Sequence, residues 1–411
     1  MAPEDSTDPL EKQISQRVGM RLRELRRAAG ITATDLAARA GISQSQVSKI
    51  ENGRATLSIR MLARLCQVFD RPVGYLFQNR EDTPRLLGTL NTVKGPENGA
   101  IQWFADQVRQ MTGNHLSLIA LRPSQIGSAA AQVDQLQEGL IDLFIEELFY
   151  YGKFVRGFGV FALPYAFRSE ETRQSFLKGR FFNDRLREPL RCAGIRLINR
   201  RWNWLRGVEW VLASRQPMVS PAELRGLRVR VIEDPLLRRF WEGMGAVPVP
   251  VPWSDVRAAL KAGEIDVLPT HKAHLYPLGF CRYAPFVTLL GDLPPVLGTA
   301  INESKYQVLP PDIQQGLGQT CDQGGDFFSR HVHQAEVQNE PLNIRRHKAA
   351  YLKVCLEPWK REVERIRSEL LSEGLLDADT ATAVAEAEHD SKREENCEQE
   401  MDHPDPGRVH P

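Results

Sequence analysis

Residues 30–54, GITATDLAARAGISQSQVSKIENGR, constrain the fold of this chain more tightly than any other segment. They read as two short helices joined by a glycine turn. Ala37 is small enough for the helices to approach closely, Gly41 is free to adopt the positive φ of a tight turn, and Val47 falls where a side chain faces the core. Thr32 and Ser43 stand at the two N-cap positions, each offering a side-chain oxygen to the first turn. Gln44, Ser45 and Lys49 share one exposed face of the following helix. Glutamine can pair bidentately with adenine, and lysine reaches guanine O6 and N7. Gln46 and Ser48 are placed for phosphates or flanking bases, and Arg54 beyond the turn for a phosphate. The candidate DNA-contacting set is therefore Ser43, Gln44, Ser45, Gln46, Ser48, Lys49 and Arg54. A helical bundle using the same polar face for protein contacts is the competing reading.

Charge separates these alternatives better than composition does. The 411 residues carry a formal net charge of only +1, but between residues 15 and 80 twelve Lys/Arg face four Asp/Glu. From residue 380 onward nine acids face three bases. The basic end suits a phosphate-bearing partner, and the acidic end reads as a solvated, disordered tail. Six scattered cysteines form no CxxC pair, which speaks against a disulfide framework or a zinc site. The polar start MAPEDSTDPLEKQ lacks the apolar core of a signal peptide, and the greasiest stretch, 141–167, is interrupted by Glu146, Glu147, Lys153 and Arg156. A cytoplasmic protein without a membrane span is the expectation.

Organisation along the chain follows from periodicity. Residues 1–14 read as a flexible leader. Val18, Leu22 and Leu25 recur at helical spacing, and apolar runs at 57–69 and 73–77 complete a five-helix bundle over 15–78. Residues 79–84 form a short polar linker ending in proline. Beyond it, strands at 86–93, 115–121 and 140–145 alternate with helices at 99–111 and 128–138, an order that implies a parallel sheet. A second such unit runs from 227 to 269. Two α/β lobes follow, with chain crossings near residues 213 and 294 and a ligand cleft between them at the carboxyl ends of the strands. The domain spans 85–376, helix-rich from 310 to 371, and the acidic tail 377–411.

The first of these regions resembles the XRE/Cro-type helix-turn-helix found in phage repressors, over residues 17–77. That resemblance implies base-reading roles for Gln44, Ser45 and Lys49, and a buried pair of Arg26 with Glu51 tying the first helix to the end of the third. Where the family often has a phosphate-contacting glutamine, this chain has Ala33, so one backbone clamp is missing.

In the larger region, alternation of Leu227, Val229 and Val231 puts Arg228 and Arg230 on the opposite strand face. There they are either solvated or a guanidinium clamp for a carboxylate. GNHLSLIALRPSQIG, QLQEGLIDL, FALPYAF, ELRGLRVRV and SDVRAALKAGEID resemble solute-binding proteins of TRAP transporters, the DctP type, over residues 86–345. The resemblance implies a two-lobed periplasmic-binding-protein-like fold closing on small organic acids. It assigns the carboxylate clamp to Arg230, a cleft carboxylate to Glu147 and, more loosely, a second arginine to Arg215. Thr270 and Pro269 replace the asparagine and glutamate usual at their positions, and VRAALKAGEIDVLPT has Arg257 where the family commonly reads a tyrosine followed by ALQ-G-VDG-EN, so the cleft wall differs. His271 and His274 read as rim or helix-surface histidines, and Trp202, Trp204, Trp210 and Trp253 as core. No catalytic motif, metal site or cofactor site is in view.

The expectation is a DNA-binding regulator, homodimeric, whose partners are double-stranded DNA and a small carboxylate. Two alternatives stand beside it: a large domain degenerated into a dimerisation or partner scaffold, and a solute receptor serving a transporter.

Overall fold

The capping signals at Thr32 and Ser43 set the geometry of the N-terminal region. In the computed structural model, which describes residues 9–389 except 56–57, 70, 72, 78–84, 91–95, 115 and 122–125, both are reciprocal capping boxes. Thr32 Oγ1 accepts from the Asp35 amide, and Asp35 returns by accepting from the Thr32 amide at 2.9 Å. Ser43 and Gln46 exchange the same two bonds. These caps open α2 (Ala33–Ala40) and α3 (Gln44–Glu51), which follow α1 (Pro9–Ala28) and precede α4 (Ile59–Gln67) and the 3₁₀ turn Val73–Phe77. Gly41 ends α2 at φ 65° and ψ 38°, the left-handed turn expected of it. Leu22, Leu36, Val47, Ile50 and Leu76 are wholly buried between the helices. Residues 9–14 are helical, so the expected flexible leader is corrected there. Its remainder, like linker residues 79–84, lies outside the described residues.

The larger domain is built on two sheets. The first has the order β2-β1-β3-β10-β4, with β1 Arg85–Leu90, β2 Ser117–Ala120, β3 Leu143–Glu147, β4 Ile195–Leu197 and β10 Leu297–Asn302. The second is β11-β9-β5-β8-β6-β7, with β5 Trp210–Ser214, β6 Arg228–Val231, β7 Val247–Pro250, β8 Val267–His271, β9 Phe286–Asp292 and β11 Ala350–Lys353.

The expectation of purely parallel sheets is corrected. β1 runs parallel to β2 and β3, and β6 to β7 and β8, but β10 and β5 are antiparallel to both of their neighbours. These two strands are entered straight from a crossing through the cleft, whereas β11, reached through a long helix, runs parallel to β9. A chain coming in across the cleft reaches the sheet at the carboxyl ends of its parallel strands and must run the opposite way: Trp210 of β5 pairs with His271, the last residue of β8. The crossings lie at 198–209 and 293–296. The second is near its expected place, but residue 213 falls inside β5. The 37-residue helix Pro311–His347 then carries the chain back to β11 on the second sheet. No helix among the described residues is long and apolar enough to cross a membrane.

The expected disordered tail is corrected in part. Residues 378–389 are helical, with Thr380 and Val384 fully buried, because Ala383, Val384 and Ala387 pack on the apolar core. Residues 390–411 lie outside the described residues.

Candidate DNA-facing helix and ligand cleft

On α3 the side chains of Gln44, Ser45 and Lys49 are exposed, and among the described residues none has a hydrogen-bond or ion-pair partner. They stand on one face of a helix anchored from behind by Arg26, whose Nε and Nη2 grip the two Glu51 oxygens at 2.6 and 2.9 Å. Burial would raise the Glu51 pKa, but hydrogen bonds and charge from Arg26 and Arg23 hold it below the usual carboxylate range. Arg54 is exposed beyond the turn. Ser43 and Gln46 spend part of their hydrogen-bonding capacity on the capping box, and Ser48 is half-buried beside Asn52. The backbone of α1 approaches α3 closely at Gly19. A Cβ there would press into the Ile50 carbonyl oxygen and sit 2.9 Å from the Glu51 backbone.

Between the two sheets lies a cavity of about 490 Å³. Its wall is formed by the carboxyl ends of β3, β6, β7 and β8 and the amino ends of the crossover strands, the place where open α/β folds collect ligands. Arg230, Glu147 and Thr270 all line it, so three of the four residues proposed from sequence are brought together. Arg215 is not among them, and this expectation is corrected. It follows β5 at the end away from the cleft, five residues or roughly 17 Å from Trp210, and donates to the Leu260 carbonyl instead.

Arg230 is the least committed cation in the wall. Its Nε donates to the Val251 carbonyl at 3.0 Å, and its guanidinium carbon lies 5.4 Å from the Trp253 ring centre. Neither Nη nitrogen has a partner among the described residues. Burial lowers its pKa against the pull of Tyr150 and Glu147, which marks a guanidinium short of counter-charge. Arg228, two residues earlier on the same face, is different: it pairs with Asp266 through two bonds of 2.8 and 2.7 Å at the surface.

The deep end of the cavity is an ionic cluster that sequence reading missed. Arg206, only 4% exposed, reaches Glu97 at 3.1 Å, Glu147 at 2.8 Å and Glu146. Across from these first-lobe acids, His271 Nε2 meets Glu147 Oε1 at 2.9 Å and His274 Nε2 meets Glu97 Oε1 at 3.1 Å. Burial alone would neutralise the acids. For Glu97, Arg206 and His274 overcome it and draw the pKa to about 2; for Glu147, His271 and Arg206 do the same. Glu146 goes the other way, because burial outweighs Arg206 and the Glu147 charge adds to it. Burial lowers His271, with Glu147 opposing. Both histidines are buried, not on a rim or helix surface as expected, and Trp210 and Trp253 line the cavity while Trp202 and Trp204 are core. Among the described residues no three His, Cys, Asp or Glu are arranged to hold a metal ion. The adjacent glutamates inside an apolar run were the one signal that pointed here. Arg206 sits in an irregular crossover with no periodic pattern.

Comparison with known proteins agrees with this geometry. Residues 87–363 match the model of the family described as bacterial extracellular solute-binding protein, family 7, and residues 22–76 match a helix-turn-helix model. A 2,3-diketo-L-gulonate-binding periplasmic protein of Escherichia coli is 25% identical over 244 residues, covering 59% of this chain and 73% of that protein. The ectoine-binding periplasmic protein TeaA of Halomonas elongata is 21% identical over 213 residues, covering 51% and 61%. Among solved structures, a TRAP periplasmic solute-binding protein from Fusobacterium nucleatum with bound sn-glycerol-3-phosphate superposes with a TM-score of 0.68. It is 17% identical, with 77% of this chain and all of that one covered. A TRAP solute-binding protein from Sulfitobacter with bound β-D-galacturonate gives 0.66 at 16% identity, covering 74% and 98%.

Proposed function

Because the chain belongs to the bacterial extracellular solute-binding proteins of family 7 and carries a helix-turn-helix domain ahead of that fold, we propose that it is a DNA-binding transcriptional regulator controlled by a small organic acid. The observation that carries this reading is Arg230: a half-buried guanidinium in the wall of an inter-lobe cavity, with two nitrogens unengaged among the described residues. A carboxylate there gains a bidentate, charge-assisted pair in a desolvated site. Glu147 and Thr270 complete the ligand wall, and Gln44, Ser45 and Lys49 read bases while Arg54 holds the backbone.

Ligand that touches both lobes favours the closed arrangement by its differential affinity. The reader is in contact with the first lobe, where the Arg85 guanidinium bonds the Phe77 carbonyl and Phe77 and Leu87 share one apolar cluster. In a homodimer, closure then changes the spacing of two readers on paired half-sites. This role places the protein in the cytoplasm, without catalysis of its own.

Thermal unfolding of the full chain against a panel of organic acids tests the ligand half. An acid at a hundred times its Kd raises stability by about 2.7 kcal/mol, and Arg230→Ala abolishes the rise. A flat response across the panel favours the scaffold reading instead.

A further inference from the structure

The charge balance inside the cavity narrows the chemistry of its ligand. At the deep end three glutamates surround Arg206 and more than balance its charge, although its buried Nη2 has no partner among the described residues. Glu147 uses only Oε1, which takes both Arg206 Nη1 and His271 Nε2. Its Oε2 has no partner among the described residues, and the side chain is 15% exposed where it lines the cavity. Facing the same space, Arg230 holds its two unengaged Nη nitrogens. Arg230 thus presents unengaged donor nitrogens to the cavity and Glu147 an unengaged carboxylate oxygen, and Asp292 and Glu233, which also line it, add further acid.

A ligand with a carboxylate at each end would set its second charge against Glu147, and like charges in a desolvated site repel strongly. A protonated nitrogen in that place instead forms a charge-assisted hydrogen bond. Thr270 Oγ1, buried without a partner in the same wall, can accept a further N–H. The rings of Phe149, Tyr150, Trp210 and Trp253 line the same cavity, and aromatic faces favour a cation.

We propose that the cavity takes a zwitterion, with its carboxylate on the Arg230 guanidinium and a protonated nitrogen on Glu147 Oε2. The proposal rests on the reading that Arg230 receives a carboxylate, and it adds the second half of the ligand. It also gives Glu147 a role as a specificity residue, rejecting dicarboxylates.

The test is calorimetric titration of the full chain with length-matched pairs. Glycine, β-alanine, 4-aminobutyrate and 5-aminopentanoate are compared with malonate, succinate, glutarate and adipate, with ectoine as a cyclic amidinium acid and propionate and butyrate as simple monocarboxylates. The best zwitterion is expected to bind at least ten-fold tighter than its matched dicarboxylate, and Glu147→Gln to reduce that ratio at least ten-fold. The wild-type ratio decides the matter even if the variant fails to fold. A dicarboxylate or a simple monocarboxylate binding tighter than every zwitterion overturns the proposal while upholding the carboxylate reading. Absence of binding by every compound, together with a flat response to the wider acid panel, overturns the carboxylate reading itself.

Discussion

Arg228 and Arg230 lie two residues apart on one strand face, yet their environments separate their roles. Arg228, near the amino end of β6, is neutralised by Asp266; Arg230, near the carboxyl end, meets the cavity. Truncating Arg230 to Ala is expected to weaken the best organic acid by at least a hundred-fold, whereas Arg228→Ala stays within about two-fold, both read by titration calorimetry. Glu51 makes the corresponding case in the reader. Breaking its pair with the partly exposed Arg26 by Glu51→Gln is expected to cost about 2 kcal/mol in urea unfolding. Its folded pKa is depressed, so its contribution is present above its ordinary value of 4.5 and is lost as pH falls through the lower folded value. The variant therefore shows a flatter acid limb. Arg230, Glu147 and Thr270 were legible in the sequence because each occupies a strand end or the flank of a motif. Arg206 and Glu97 were not: they come from a crossover and a helix start, α5 (Pro96–Met111), and only the tertiary fold makes them neighbours. Arg215 misled because a family position one residue away does not say which end of the strand faces the cleft.

At the scale of elements, the close approach of α1 and α3 requires a residue without a side chain at position 19. Gly19→Ala is expected to destabilise the reader by about 1–3 kcal/mol, because the obstacle is backbone and cannot rotate away. The long helix Pro311–His347 carries a second test. Its Glu336 is buried at the first crossover, where Oε2 accepts from the Val208 amide at 2.9 Å, and burial against the pull of Lys272 raises its pKa to about 7. A raised carboxyl favours the native state at low pH. That contribution is complete below the ordinary value of 4.5 and is lost as pH rises toward 7. Glu336→Gln should remove this part of the pH dependence of thermal stability; an unchanged profile would show that Glu336 is not its source. The strands β1, β2, β3, β6, β7 and β8 were readable from periodicity, as were the two caps, but β4, β5, β9, β10 and β11 were not. The antiparallel sense of β5 and β10 was not, since local alternation is the same for either direction and only the route by which the chain enters the sheet decides it.

The whole molecule joins a basic helical reader to a two-lobed cleft, and its near-neutral net charge conceals both. The two regions were legible as motifs and as a change of period at the linker. The communication proposed between them rests on their contact and on lobe closure, which no local pattern encodes. If closure sets reader geometry, ligand and DNA must each alter affinity for the other by the same factor.

The most direct test selects bound duplexes from a random pool with the full chain, then titrates the tightest duplex by fluorescence anisotropy at fixed salt, with and without a saturating acid. The account predicts at least a five-fold change in DNA affinity with the acid, absent in Arg230→Ala, and loss of sequence preference in Gln44→Ala and Lys49→Ala. Identical DNA affinity with the cleft empty and saturated would contradict it.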